Sequence, residues 1–212
     1  MVFPHSIGAH ILGRYYWCAS ESKLLAHEEN LEKKLPKDCM LEGITVHEWL
    51  ASRPKSKTER ELLFKLEQVR PWYRILDGTK IYAHPDDFGI RKRLVQIREY
   101  KSVDKYDIDP FVVCSAVLQT KIGSWVLEPI LRNLKYRLDG MHEVSLYNRK
   151  TAYFIGRTKV FYDPQEVVEE LHFIFGVYRG ENPLIPPKRW KCRVCDPEIK
   201  RKCSLRGFNH VS

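Results

Sequence analysis

Between Glu21 and Leu35 (ESKLLAHEENLEKKL), Glu42 and Arg53, and Lys57 and Arg70, apolar residues recur at helical spacing with charges between them, and Pro36, Pro54 and Pro71 punctuate the run. The first third of the chain therefore predicts helices. From Trp72 the period shortens to two. WYRIL, TKIYAHP and LVQIREYK alternate or are rich in Tyr, Ile and Val, with Asp77-Gly78 as a tight hairpin turn between the first two. Pro110 to Leu138 returns to helical spacing behind Asp109, an N-cap followed by proline at the first helical position. His142 to Tyr147 and Thr151 to Gly156 predict a hairpin about Asn148 to Lys150, extended by Lys159 to Tyr162, and Asp163-Pro164 opens a last helix to about Tyr178.

After Gly180 the composition shifts. Asn182, Pro183, Pro186 and Pro187 predict an extended linker, and eight Lys and Arg stand against Asp196 and Glu198 between Lys188 and Arg206. This divides the 212 residues into a core over 1–180 with a helical N-terminal part and a basic cysteine-rich tail over 181–212. The net charge of +9 favours a polyanionic partner, nucleic acid before others. No run approaches the roughly 18–20 apolar residues of a membrane span, and the uncharged opening Met1 to Leu12 lacks the basic start of a secretory signal, so a cytoplasmic protein with no membrane partner is expected. No P-loop motif is present.

Two constellations carry chemistry. In the first, Pro85-Asp86 precedes Glu99-Tyr100-Lys101 by twelve residues. Residues two apart on a strand face one side, so Glu99 and Lys101 project together, and Asp86, at the end of the preceding strand of the same antiparallel pair, meets them at a sheet edge. Two carboxylates suit a hard cation such as Mg²⁺ or Mn²⁺, with the lysine beside the activated water. Asp87 rivals Asp86, because a one-residue register change exchanges them. His47, in Gly43-Ile44-Thr45-Val46-His47-Glu48 on an upstream helix, can complete such a site as a neutral imidazole. The second constellation is Cys192-x-x-Cys195-x7-Cys203, whose fourth ligand is sought in Cys18. Four thiolates of that kind suit zinc or an iron–sulfur cluster, and they would clasp the two ends of the chain together. Tyr15, Tyr16 and Trp17 beside Cys18, with Trp190 among Lys188, Arg189, Lys191 and Arg193, place aromatic rings among basic groups; Lys188, Arg189 and Lys191 suit a single-stranded nucleic acid, whereas the tyrosines are expected to pack around the cysteines and shield them from water.

Taken in order, Cys18, Gly43 to His47, Pro85-Asp86, Glu99-x-Lys101 and the three tail cysteines resemble the RecB-type PD-(D/E)XK nucleases, and more narrowly the CRISPR-associated "Cas four" exonucleases with their archaeal and viral relatives. The resemblance implies an α/β, restriction-endonuclease-like core, with a mixed central sheet flanked by helices, and a cysteine-clasped C-terminal module. It implies a [4Fe-4S] cluster on Cys18, Cys192, Cys195 and Cys203, and a Mg²⁺ or Mn²⁺ ion held by His47, Asp86, Glu99 and the Tyr100 carbonyl. Lys101 would orient or deprotonate water, and Lys188, Arg189 and Lys191 would meet DNA. The implied activity is exonucleolytic cleavage of single-stranded DNA; duplex ends, CRISPR integration proteins and a second copy of the chain stand as further partners. Gln119 matches the glutamine of the family's Gln-x-x-x-Tyr helix, whose tyrosine position is Gly123 here. The competing expectation is a non-catalytic nucleic-acid binder with a zinc-bound tail on a degenerate nuclease scaffold.

Overall fold

The computed structural model describes residues 3–27, 46–50, 52–104, 108–184, 187, 189–195 and 197–203. Within them the chain runs β1 (Ser6–Gly8), α1 (Ala9–Gly13), α2 (Ala19–His27), a short helical stretch over 46–50, α3 (Lys57–Glu67), β2 (Tyr73–Leu76), β3 (Thr79–Tyr82), β4 (Asp87–Arg91), β5 (Leu94–Val103), α4 (Pro110–Asn133), β6 (Arg137–Leu138), β7 (Met141–Asn148), β8 (Phe154–Phe161), α5 (Pro164–Arg179), α6 (Arg189–Val194) and α7 (Pro197–Lys202). The protein is a mixed α/β fold with two sheets flanked by helices. The expected helices over Glu21 to Leu35 and Glu42 to Arg53 fall partly outside the described residues.

The smaller sheet has the order β1-β3-β2, with β1 parallel to β3 and β2 antiparallel to it. Its hairpin turns on Asp77 and Gly78, both left-handed at φ 48° and 78°, as the Asp-Gly pair predicts. The larger sheet has the order β4-β5-β7-β8, with β6 alongside β5. β5 and β7 are parallel, so the chain must cross over between them, and α4 provides the crossover. Asp109 caps α4 through its carboxylate and Pro110 sits in the first turn.

Three expectations change. The Thr79 to Pro85 segment is not the partner of β5. It stays in the small sheet, and β5 pairs instead with β4, whose residues DFGIR carry too little apolar alternation to read as a strand. The long helix stops at Asn133 rather than Leu138, because Lys135 adopts φ 65° and turns the chain into β6, although Tyr136 and Leu138 continue the apolar spacing. The last hairpin has a longer turn, with β8 beginning at Phe154, since the Asn148 side chain accepts from the amides of Lys150 and Thr151 and holds the turn together.

The main core packs Leu118, Ile122 and Val126 of α4 against Val95 and Ile97 of β5, and α5 joins it through Leu171, Ile174 and Phe175. Each such fully buried side chain stabilises the fold by about 1.5–3 kcal/mol. Ile199 of the tail lies in the same cluster as Leu25 of α2. Among the described residues one helix, Pro110–Asn133, is long and apolar enough to cross a membrane, and half of its apolar window is buried inside this fold.

His142 shows how tightly the larger sheet is closed. Its Nδ1 accepts the Ile97 amide at 3.1 Å, and its Nε2 has no hydrogen-bond partner among the described residues. Burial lowers its pKa to about 4, against a weaker opposing pull from Asp139. Between about pH 6.5 and 4 the unfolded chain therefore binds a proton that the folded one refuses, so this contribution to stability is complete above pH 6.5 and is lost as pH falls through the window. Denaturant titrations at pH 7 and pH 4 should show the wild type losing roughly 3 kcal/mol more than His142→Gln.

Candidate functional site

β4 and β5 are antiparallel with Asp87 opposite Arg98, and carrying that register one residue further sets Asp86 opposite Glu99. The β4 ladder ends there, and the free amide of Tyr100 donates instead to Asp86 Oδ2 at 2.7 Å. The other oxygen, Oδ1, lies 3.2 Å from His47 Nδ1. His47 reaches it from the 46–50 stretch, whose Val46 and Leu50 are buried against Tyr100 and Tyr147. The structure thereby separates the two aspartates. Asp87 points the other way, ion-paired with Lys55 and Arg98, and accepts from the Tyr100 hydroxyl at 2.8 Å.

Glu99 and Lys101 share the face of β5 that α4 covers, at the edge left where the β4 pairing ends. Glu99 is 7% exposed. The Lys101 ammonium donates to Glu99 Oε1 at 3.0 Å and to Gln119 Oε1 at 2.8 Å. Gln119 in turn donates to Ser115 Oγ one helical turn away, at 3.3 Å. His47, Asp86, Glu99 and Lys101 thus stand together, with Gln119 added from α4. Burial pushes the Glu99 carboxyl up to about 7; the Lys101 and His47 charges pull it down and Asp86 pushes it further up. Two carboxylates crowded in this way repel one another when both are charged, a repulsion that a divalent cation between them would relieve.

Two glycines that sequence reasoning gave no positioning role shape the site. A Cβ on Gly13 would stand 2.5 Å from Gln119 Nε2, so α1 can lie against α4 and hold Gln119 toward Lys101 only because position 13 is bare. A Cβ on Gly123 would meet Pro85 at 3.2 Å. Pro85 thus fills the space in front of Gly123. Beside Glu99 and Gln119 opens a cleft of about 120 Å³, flanked by His10 and His84. His84 is tilted over Trp72 at 5.4 Å, and burial lowers its pKa. Neither histidine stands in a motif, so only the fold brings them near.

Cys18, Cys192, Cys195 and Cys203 line a separate pocket. Cys18 precedes α2, Cys192 lies in α6, and Cys195 and Cys203 flank α7. Burial raises Cys18 to about 11 and Cys195 to about 12, with the nearby Glu21 and the other cysteines adding to it for Cys195. Cys203 Sγ lies 3.1 Å from Ser20 Oγ. Among the described residues, no group of three or more His, Cys, Asp or Glu side chains is gathered closely enough to hold a metal ion as it stands.

The basic residues of the tail separate. Lys188 lies outside the described residues, and Arg189 opens α6. Lys191 is not a surface contact. It is 3% exposed, its ammonium lies 3.6 Å from the Phe111 ring centroid and 4.3 Å from that of Trp17, and it donates to the Trp17 carbonyl at 3.0 Å. A cation enclosed by rings and lining the thiol pocket cannot also reach a nucleic acid; its place in a run of basic residues hid this in the sequence. No protein-family model matches this sequence, and no curated protein matches it.

The raised Glu99 has a measurable consequence. Between about pH 4.5 and 7 the folded protein keeps a proton that the unfolded chain has released, so the stabilisation is present at low pH and is lost as pH rises through 7. Without divalent metal, Glu99→Gln should melt a few degrees above the wild type at pH 8, with a smaller gap at pH 5, by differential scanning calorimetry.

Proposed function

We propose that this protein is a metal-dependent deoxyribonuclease with a RecB-type PD-(D/E)XK core, acting on single-stranded DNA from an end. The observation that carries the reading is the convergence of His47, Asp86, Glu99 and Lys101, with Lys101 held between Glu99 and Gln119. The surplus of +9 favours the substrate.

Asp86, Glu99 and His47 would hold Mg²⁺ or Mn²⁺, which when bound polarises the phosphate and lowers the pKa of a coordinated water. The chain's own residues do the rest. Asp86 is oriented by the Tyr100 amide and His47, so its carboxylate arrives without a search for the right rotamer. Lys101 keeps its ammonium pinned by two acceptors, leaving its third N–H to donate to water or to a phosphate oxygen. Gln119 fixes that ammonium from the helix side.

Cys18, Cys192, Cys195 and Cys203 would hold a [4Fe-4S] cluster, with a structural role in joining the chain ends. Such a cluster distributes its thiolates over several irons, whereas one zinc ion would draw four sulfurs to about 2.3 Å of a single point. Four cysteines lining one pocket suit either, and the likeness of their order to the RecB-type nucleases favours the cluster. The buried Lys191 would offset part of the charge of the thiolates.

Mn²⁺-dependent digestion of end-labelled single-stranded DNA tests the reading. Asp86→Asn, Glu99→Gln and Lys101→Met should each lose about 10²-fold or more in rate while still folding, and Asp87→Asn should retain most of it. Equal losses at Asp86 and Asp87, or none at Lys101, would overturn the site. Metal analysis of anaerobically purified protein should find iron near four per chain, and Cys203→Ser should lose both iron and melting temperature, because ligand binding here contributes to folding. Zinc near one per chain with no cleavage would favour the non-catalytic binder.

A further inference from the structure

On the flank of the 46–50 stretch lies an open groove of about 590 Å³, walled by Val46 and Trp49 on one side and by Arg149, Lys150, Ala152 and Tyr153 of the β7–β8 turn on the other. Its chemistry is unusual for a solvated face. Trp49 is 50% exposed and Tyr153 is 76% exposed, and Phe154 follows at 56%. Large exposed rings gathered on one face mark a contact surface rather than a folding requirement. Among the described residues no acidic side chain lines the groove, whereas Arg149 and Lys150 do. Arg53 adds a third cation, its guanidinium 4.8 Å from the Trp49 ring centroid. The Arg149 Nε is buried and has no hydrogen-bond partner among the described residues, so a donor is held there without an acceptor.

We infer that this groove is the binding track for single-stranded DNA, with bases stacked on Trp49 and Tyr153 and phosphates met by Arg149, Lys150 and Arg53. The inference rests on the nuclease reading and adds to it the path of the substrate. Rings interleaved with cations and free of carboxylates match a strand that offers flat bases and a charged backbone in alternation. A duplex hides its bases and an acidic peptide has none, so neither uses both halves of this surface. The groove is walled by the same helical turn that carries His47. Val46 and Leu50 seat the helical stretch on Tyr100 and Tyr147, and the same single turn carries His47 to Asp86 on one flank and Trp49 to the groove on the other. A strand crossing that turn passes from the stacking platform to the carboxylates.

The test reads binding apart from cleavage. Fluorescence anisotropy of a labelled oligothymidylate is followed with the full-length chain in EDTA, where no divalent ion is present. Trp49→Ala and Tyr153→Ala should each weaken binding about tenfold, the double variant about a hundredfold, and Trp49→Phe should keep most of the affinity. Lys150→Gln should reduce the slope of log K against log salt by about 0.7, the loss of one phosphate contact. Both rings are largely exposed, so the variants are expected to fold; unchanged melting curves check this. Binding of the double variant within about twofold of the wild type would overturn the inference, as would equal wild-type affinity for polyglutamate, which has charge without bases. Failure of the nuclease reading looks different: wild type that does not cleave with Mn²⁺ although the groove variants still lose affinity leaves the groove standing and removes the reaction.

Discussion

At Asp86 the ladder between β4 and β5 stops, and a carboxylate takes the hydrogen bond that a strand would have accepted from the Tyr100 amide. The site depends on that substitution. It leaves one oxygen of Asp86 free to face His47, and it fixes which of two adjacent aspartates looks toward Glu99. Because side chains alternate along an extended chain, the same choice sends Asp87 to Lys55, Arg98 and the Tyr100 hydroxyl. A slip of one residue would exchange the roles and leave Asp87's three partners without their acceptor.

The second constraint is burial. Glu99 lies under α4, where desolvation opposes its charge, and Lys101 only partly compensates. Such an arrangement is costly to a metal-free fold and useful to one that binds a cation, the trade between stability and function seen at many sites. The close approach of α1 to α4 across Gly13 and the seating of Pro85 before Gly123 keep this region packed around Gln119, so that the lysine is held in place rather than left to sample solvent.

Positive charge is put to two different uses. Lys191 is drawn inside among Trp17, Phe111 and the cysteine pocket, where cation–π contact and the Trp17 carbonyl replace water. Arg53, Arg149 and Lys150 remain beside exposed rings on the opposite kind of surface, an open groove. A charge count over the chain treats these alike, and only burial distinguishes a structural cation from one available to a ligand.

Much of the architecture was legible in the residues themselves. Asp109-Pro110 and Asp163-Pro164 marked two helix starts because capping and the fixed φ of proline act within one turn, and Asp77-Gly78 marked a hairpin because both positions tolerate left-handed backbone. The grouping of His47, Asp86, Glu99 and Lys101 was legible as a motif, and the four cysteines that line one pocket were legible as a set. What local chemistry could not decide was pairing. β4 was not read as a strand, and the Thr79 strand was assigned to the wrong sheet, because hydrogen-bond partners of a strand lie far away in sequence. The Asp86 and Asp87 ambiguity, the burial of Lys191, the hold of Gln119 on Lys101 and the groove beside Trp49 were likewise settled by contacts between distant segments. Propensity and capping are written over a few neighbouring residues; which face is covered, and by what, exists only once the chain has packed.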